Sequence, residues 1–200
     1  MMIIGLTGGP GTGKSLAARY LEEQSAIILS GDEAGRIVVE EIPSILRKLV
    51  KSFGMEILNS DGALNRNKLG SIAFGNPVSL ATLNSIVHPP LLRLLKATVN
   101  KLKKSRRNKI IVIDAALIFE WGIANWCDYI LVVTARQDIR IKRMMSQGLS
   151  RKEARNRIAS QIPDKDKVAL ADYVIENNGA RSTLKNKVND FLLLLQRTEK

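Results

Sequence analysis

The chain has 200 residues, 45% apolar and 25% charged, the make-up of an ordinary globular protein and not of a disordered tail, a fibre or a disulfide-stapled miniprotein. Lys and Arg total 31 against 19 Asp and Glu, a net charge of +12, which calls for an anionic partner: nucleic acid, an acidic membrane surface or a phosphorylated small molecule. Residues 1–100 carry 10 basic and 8 acidic side chains (net +2) and residues 101–200 carry 21 and 11 (net +10), so the second half holds most of the excess.

Residues 3–7 form an apolar run that reads as a buried strand ending at glycines. The start is too short and uncharged for a signal peptide. Residues 14–23 are good helix formers with Leu16, Ala17, Tyr20 and Leu21 on one face. Residues 26–29 are a second apolar run. The rhythm of strand and helix then breaks over about 42–107. Ile45, Leu46, Leu49, Val50 and Phe53 follow helical spacing up to a stop at Gly54, and Leu91, Leu95, Val99 and Leu102 repeat that spacing. Turn signals lie between them at Asn59-Ser60-Asp61-Gly62, Gly75-Asn76-Pro77 and His88-Pro89-Pro90.

Ile- and Val-rich runs at 109–113 and 129–133, and a shorter one at 173–175, supply further strands. Runs apolar throughout suit parallel strands covered on both faces. The expected fold is α/β, a parallel five-stranded sheet flanked by helices, with residues 42–107 as a helical insert. A last helix over about 180–197 has Leu184, Val188, Phe191, Leu192 and Leu195 on one stripe, which reads as core. Cys127 is the only cysteine, so no intrachain disulfide forms. It reads as a buried small hydrophobe in a reducing compartment, the cytoplasm. No apolar run approaches the roughly 20 residues that span a bilayer.

Gly8-Gly9-Pro10-Gly11-Thr12-Gly13-Lys14-Ser15 matches G-x-x-x-x-G-K-[ST] without a gap. At average composition roughly one 200-residue chain in 150 would match by chance, and this match also sits between a predicted strand and a predicted helix. The residue types suit a triphosphate. Glycines admit positive φ and bring backbone N–H groups onto phosphate oxygens, and the helix N-terminus adds partial positive charge. Lys14 reaches the β- and γ-phosphates, and the Ser15 hydroxyl suits Mg²⁺. A P-loop of this kind binds ATP or a relative without naming the reaction.

GTPases need a guanine-reading Asn-Lys-x-Asp, and Asn186-Lys187-Val188-Asn189 fails at its fourth position. Motor and transport ATPases close the next core strand with an acidic pair, whereas Ile110-Ile111-Val112-Ile113-Asp114 ends in one acid followed by alanines. A small kinase with a helical acceptor-binding insert and an Arg-rich lid over about 136–160 fits better. Transfer to a hydroxyl needs a base and positive charge around the moving phosphoryl group. Asp32 follows the second strand, where it is either that base or the cap of the next helix. Asp114 lies where Mg²⁺ would sit if Ser15 binds it; it holds the ion, hydrogen-bonds the P-loop backbone, or does both. Arg136, Arg140 and Arg143 share one face of a helix, Arg151 and Arg155 pair beyond them, and guanidinium forks suit phosphates. The basic run 101–109 has no aromatic residue for stacking bases and reads as a solvated helix end. His88 is the only histidine, which argues against zinc.

The ordered set of motifs resembles the dephospho-coenzyme A kinase family almost end to end. Gly5-Leu6-Thr7-Gly8-Gly9 resembles its opening, and Asp32 its acid after the second strand. Leu64-Asn65-Arg66 is similar to Leu-Asp-Arg, and Leu83-Asn84-Ser85-Ile86-Val87-His88-Pro89 to Leu-x-x-Ile-x-His-Pro. Leu117-Ile118-Phe119-Glu120, Gln137-Asp138-Ile139-Arg140 with Arg143, Ile158-Ala159-Ser160-Gln161 and 171–179 complete the set. The resemblance implies ATP-dependent phosphorylation of the ribose 3′-hydroxyl of dephospho-coenzyme A. It implies Asp32 as base, and Lys14, Arg140 and Arg143 on ATP phosphates with the Gly8–Ser15 loop. Asn177 would lie near the adenine, and Mg²⁺ at Ser15 and Asp114. Arg66, His88, Leu117 and Phe119 would line the acceptor pocket. It also implies a cytoplasmic monomer without nucleic acid or membrane. A kinase of another small acceptor, such as a nucleoside monophosphate, and an ATP-switched nucleic-acid-binding module are the alternatives. Three positions depart from the family pattern: Ser30 for an Asp, Asn65 for an Asp, and Ala116 for a Pro.

Overall fold

The computed structural model describes residues 1–105 and 110–198. In chain order the elements are β1 (Met2–Thr7), α1 (Lys14–Glu23), β2 (Ile27–Ser30), α2 (Gly31–Glu41), α3 (Pro43–Phe53), α4 (Arg66–Gly75), α5 (Pro77–Ser105), β3 (Ile110–Asp114), β4 (Tyr129–Thr134), α6 (Gln137–Met145), α7 (Arg151–Ala159), α8 (Asp164–Ala169), β5 (Tyr173–Glu176) and α9 (Arg181–Thr198). They fall into two compact units: Met1–Ser30 with the described part of Leu102–Lys200, and Gly31–Lys101. No helix among the described residues is long and apolar enough to cross a membrane.

The first unit is built on a five-stranded parallel sheet of order β2-β3-β1-β4-β5. β1 is buried at every position, as its unbroken apolar run predicts. One layer of the core joins Ile4, Leu6, Val112, Leu131 and Val133 of the sheet to Ala17 and Leu21 of α1. Leu184, Val188, Phe191, Leu192 and Leu195 of α9 complete it, so the predicted leucine stripe is core. Phe191 also packs on Tyr173, ring centroids 5.0 Å apart. Register aligns Leu6, Asp114 and Ser30 across β1, β3 and β2 at the carboxyl ends of the strands. The strand order reverses at β1 and β3, the point where open α/β sheets take their ligands.

Two carboxylates secure the other end of the sheet. Ile3 N–H donates to Asp128 Oδ2 and Ile130 N–H to Asp172 Oδ2, each at 2.7 Å. Each Asp opens the strand after it in a repeated pattern, Asp128-Tyr129-Ile130 and Asp172-Tyr173-Val174, and takes a strand-end N–H of the neighbour that would otherwise lack a partner.

The second unit is helical. Ala34, Val38 and Val39 of α2, Ile45 and Leu49 of α3, Leu69 and Ala73 of α4, and Leu91, Leu95 and Val99 of α5 are buried. Gly54 ends α3 at φ 85, and a tight turn over Asn59–Ala63 closes through Gly62 N–H on Asn59 O at 3.0 Å. His88-Pro89-Pro90 is not the turn its composition predicts. Both prolines lie inside α5, which runs unbroken for 29 residues. An interior proline costs about 3 kcal/mol, while burying a large apolar side chain stabilises by roughly 1.5–3 kcal/mol. The buried Leu91, Leu95 and Val99 and the half-buried Leu83, Ile86, Val87, Leu92 and Leu94 together outweigh the two prolines. Lys101, Lys103 and Lys104 of the basic run are exposed at the end of α5, and its residues 106–109 lie outside the described residues.

Candidate active site

The loop Gly8–Ser15 joins β1 to α1 at the carboxyl edge of the sheet. Gly8, Gly11 and Gly13 have φ of 157, 76 and 95, and the last two need a residue without a Cβ. Space is as restrictive as φ. A Cβ on Gly9 would lie 2.2 Å from an Arg140 guanidinium nitrogen, and one on Gly13 would lie 2.3 Å from Asn177 Nδ2.

Those two neighbours, with Arg143, hold the loop by its carbonyls. Arg140 Nε donates to Pro10 O at 2.8 Å. Arg143 donates to Gly11 O and Thr12 O, both at 3.2 Å, and to Asn177 O at 3.0 Å. Asn177 Nδ2 donates to Thr12 O at 2.7 Å. No peptide among the described residues is cis, so each loop N–H points opposite to the carbonyl before it. The N–H groups of Gly11 and Gly13 therefore point away from the arginines, which leaves donors on one face of the loop and acceptors on the other. Such a concavity of N–H groups at a helix N-terminus takes anions.

Lys14 Nζ pairs with Asp114, the last residue of β3. The two side chains are only 12% and 10% exposed. Asp114 thus meets the side chain of the loop's lysine. Ser15 is exposed at the start of α1.

Spacing placed Arg136 on the face of Arg140 and Arg143, and the structure corrects this. Arg136 precedes α6 as its cap residue, is exposed, and pairs with Asp138. Its N–H donates to Asn178 Oδ1 at 2.8 Å. The helix begins one residue later than the spacing assumed, because the chain is still extended at Arg136 (ψ 142). Arg140 is 4% exposed. Burial pulls its pKa down and Asp164, bonded to its NH1 at 2.5 Å, pushes it up. Arg151 and Arg155 are exposed on α7.

The site belongs to a recognisable family. The family model described as dephospho-CoA kinase matches residues 2–183. The chain belongs to the dephospho-CoA kinase family. A dephospho-CoA kinase of Geobacillus kaustophilus is 38% identical over 188 residues, 94% of this chain and 93% of that one. The crystal structure of a Thermus thermophilus protein superposes with a TM-score of 0.78 at 30% identity, over 97% of each chain. A dephospho-CoA kinase from Campylobacter jejuni shares the fold, with TM-score 0.71 at 21% identity over 99% of this chain and 98% of its own.

The positions that depart from the family pattern keep local roles. Asn65 caps α4, its side chain accepting from Lys68 N–H at 2.9 Å, as an Asp would. Ala116 O accepts from Thr7 Oγ1 at 3.1 Å. Ser30 closes β2 in register with Asp114, so a carboxylate there would face another directly across the ladder.

Leu117 and Phe119 are half-buried in the turn after β3. In the helical unit, Asp32 is exposed in the first turn of α2. The helix already starts at Gly31, so Asp32 is not its cap, and its charge favours the helix dipole. Arg66, the first residue of α4, donates to Glu40 Oε1 at 3.1 Å and reaches the Arg36 carbonyl at 3.5 Å. His88 is half-buried on α5, and burial holds it below the usual imidazole range.

One buried group escaped the sequence reading. Lys167 of α8 is fully buried. It sits in Asp164-Lys165-Asp166-Lys167, a charged stretch that reads as solvated, and no apolar period marks which lysine turns inward.

Proposed function

We propose that this protein transfers the γ-phosphoryl group of ATP to the ribose 3′-hydroxyl of dephospho-coenzyme A, giving coenzyme A and ADP, the last step of coenzyme A synthesis. The observation that carries the reading is the family match over residues 2–183 on a chain whose phosphate loop is complete.

The loop N–H groups and Lys14 bind the triphosphate, with Lys14 moving from Asp114 to a phosphate oxygen. Asp32 takes the proton of the acceptor hydroxyl as its oxygen bonds to the γ-phosphorus and the bond to ADP breaks. Its position two residues past β2 supports this, since such sheets bind ligands at the carboxyl ends of their strands. Arg140 and Arg143 hold the loop by its carbonyls and so set the N–H groups on its other face for the triphosphate, and the backbone near Asn177 borders the adenine. Residues 136–160 serve as the lid. Arg66 and His88 bind the acceptor, as do Leu117 and Phe119.

Mg²⁺ suits the donors present. Ser15 offers a hydroxyl and Asp114 one carboxylate, and no group of three acidic, His or Cys side chains gathers among the described residues. That sparse oxygen set fits an ion that keeps its waters and takes ligands from substrate phosphates. When bound, it would neutralise charge between the β- and γ-phosphates. The working unit is taken as a cytoplasmic monomer.

The direct test is conversion of dephospho-coenzyme A and ATP to coenzyme A and ADP, with AMP as a rival acceptor. ADP formation no faster than with ATP alone would sink the reading, and faster turnover of AMP would replace it. Asp32→Asn should lower kcat by about 10²-fold or more while the KM for ATP holds.

A further inference from the structure

A fully buried lysine with three acceptors around it needs a reason, because packed apolar side chains usually serve stability as well or better. Lys167 Nζ donates to Ala116 O at 2.8 Å and to Gln161 Oε1 at 2.9 Å, and it lies 3.7 Å from Glu120 Oε1. Glu120 in turn accepts from Ile162 N–H at 3.2 Å. The ammonium therefore ties α8 and the segment before it to the turn that follows β3. Its anchor, the Ala116 carbonyl, is two residues beyond Asp114 and also accepts from Thr7 at the end of β1.

The same short helix carries Asp164, three residues before Lys167. Asp164 Oδ2 accepts from Arg140 NH1 at 2.5 Å, and Arg140 Nε donates to Pro10 O at 2.8 Å. The pair lies against the phosphate loop: a Cβ on Gly9 would lie 2.2 Å from Arg140 NH2 and 3.0 Å from Asp164 Oδ1.

We propose that Lys167 is a positioning residue for Arg140, fixing α8 so that Asp164 holds the guanidinium over the phosphate loop. Six residues make too short a helix to hold its own place, and its first four, Asp164, Lys165, Asp166 and Lys167, are all charged. The buried ammonium supplies the fixed point. Burial lowers the Lys167 pKa, and Glu120 and Asp164 oppose that shift. Donors that must be ordered during the reaction lose their value, so a loop held in place beforehand by a fixed guanidinium serves better.

The inference rests on ATP binding at the loop that Arg140 holds by the Pro10 carbonyl, so the readouts separate nucleotide binding from acceptor turnover. Lys167→Met, Asp164→Asn and the double variant would be compared for ATP dissociation constant without acceptor, for kcat and KM, and for melting temperature. Lys167→Met should weaken ATP binding and lower kcat/KM for ATP by about tenfold each, and Asp164→Asn should do the same. In the double variant the loss should stay near tenfold, because both act through Arg140. Losses that multiply, or a lower melting temperature with ATP binding and kcat/KM unchanged, would overturn the proposal. If Lys167→Met does not fold, Asp164→Asn decides alone: its side chain is 28% exposed, and an unchanged ATP dissociation constant overturns the proposal. Should no acceptor be turned over, the ATP dissociation constants still read the effect, so failure of the acceptor assignment is distinct.

Discussion

Lys14 and Asp114, 100 positions apart in the chain, form an ion pair where the phosphate loop meets the end of β3. The pair keeps the lysine ordered beside the loop, and it joins the start of α1 to the last residue of β3.

Removing one partner of such a pair leaves a charge in a site with little water. Breaking a buried pair costs about 3–5 kcal/mol, and with each side chain about a tenth exposed the lower end applies. Asp114→Ala should lower the melting temperature by roughly 6–12 °C. Thermal denaturation monitored by circular dichroism checks this, and an unchanged midpoint would show that the pair adds nothing to stability.

Gly13→Ala faces both a φ of +95 and Asn177 Nδ2 at 2.3 Å from the new Cβ. The Asn177 amide should leave the Thr12 carbonyl, the loop should lose its set, and ATP affinity should fall at least tenfold. Gly62→Ala provides the comparison. It has a φ of +82 but open space around it, so it should cost about 1–2 kcal/mol of stability through strain alone and leave ATP affinity as it was. Titration of both variants with ATP separates the effects.

His88 gives a pH dependence with a definite sign. Burial lowers its pKa in the folded protein, so the unfolded chain binds more protons as pH falls below about 6.5. Stability from this group is complete above that pH and declines as pH drops through the window beneath it. Melting temperatures from pH 7.5 to 5.5 should fall less steeply in His88→Gln than in the parent, and parallel curves would contradict this.

Cys127 should be inert. Burial and the Asp128 charge push its thiol up to about 12, and only the thiolate attacks electrophiles. A maleimide at pH 7.5 should label the native protein roughly 10³-fold more slowly than the protein in guanidinium. Equal rates would show that the thiol is neither shielded nor raised.

Much of the fold was legible because the signals were local. The phosphate loop is eight contiguous residues whose chemistry requires their types in that order. The strands are unbroken Ile and Val runs, and α9 carries its stripe in Leu184, Val188, Phe191 and Leu195. The aspartates at 128 and 172 stood in a repeat, Asp-Tyr followed by Ile or Val, that could have marked strand-end caps. Family membership also followed from ordered motifs, none of which depends on distance in space.

Other features arise only when distant segments meet. Pro89 and Pro90 read locally as a turn, yet the buried stripe of α5 carries a helix straight through them. Arg140 and Arg143 had the right spacing for a phosphate-facing pair, but that spacing says nothing of which atoms they meet. In the fold they grip the carbonyls of Pro10, Gly11 and Thr12 and so turn the opposite N–H groups outward. Lys167 differs from Lys165 by two positions and by nothing in composition, and only the packing of α8 against the turn after β3 buries one and exposes the other. Sequence by itself determined the phosphate loop, the parallel sheet and the family, because each is written in residue types at short range. Tertiary structure alone decided which charged side chains are buried and what they hold, because burial and hydrogen-bond partnership depend on segments that meet only in the fold, such as Arg140 and Pro10.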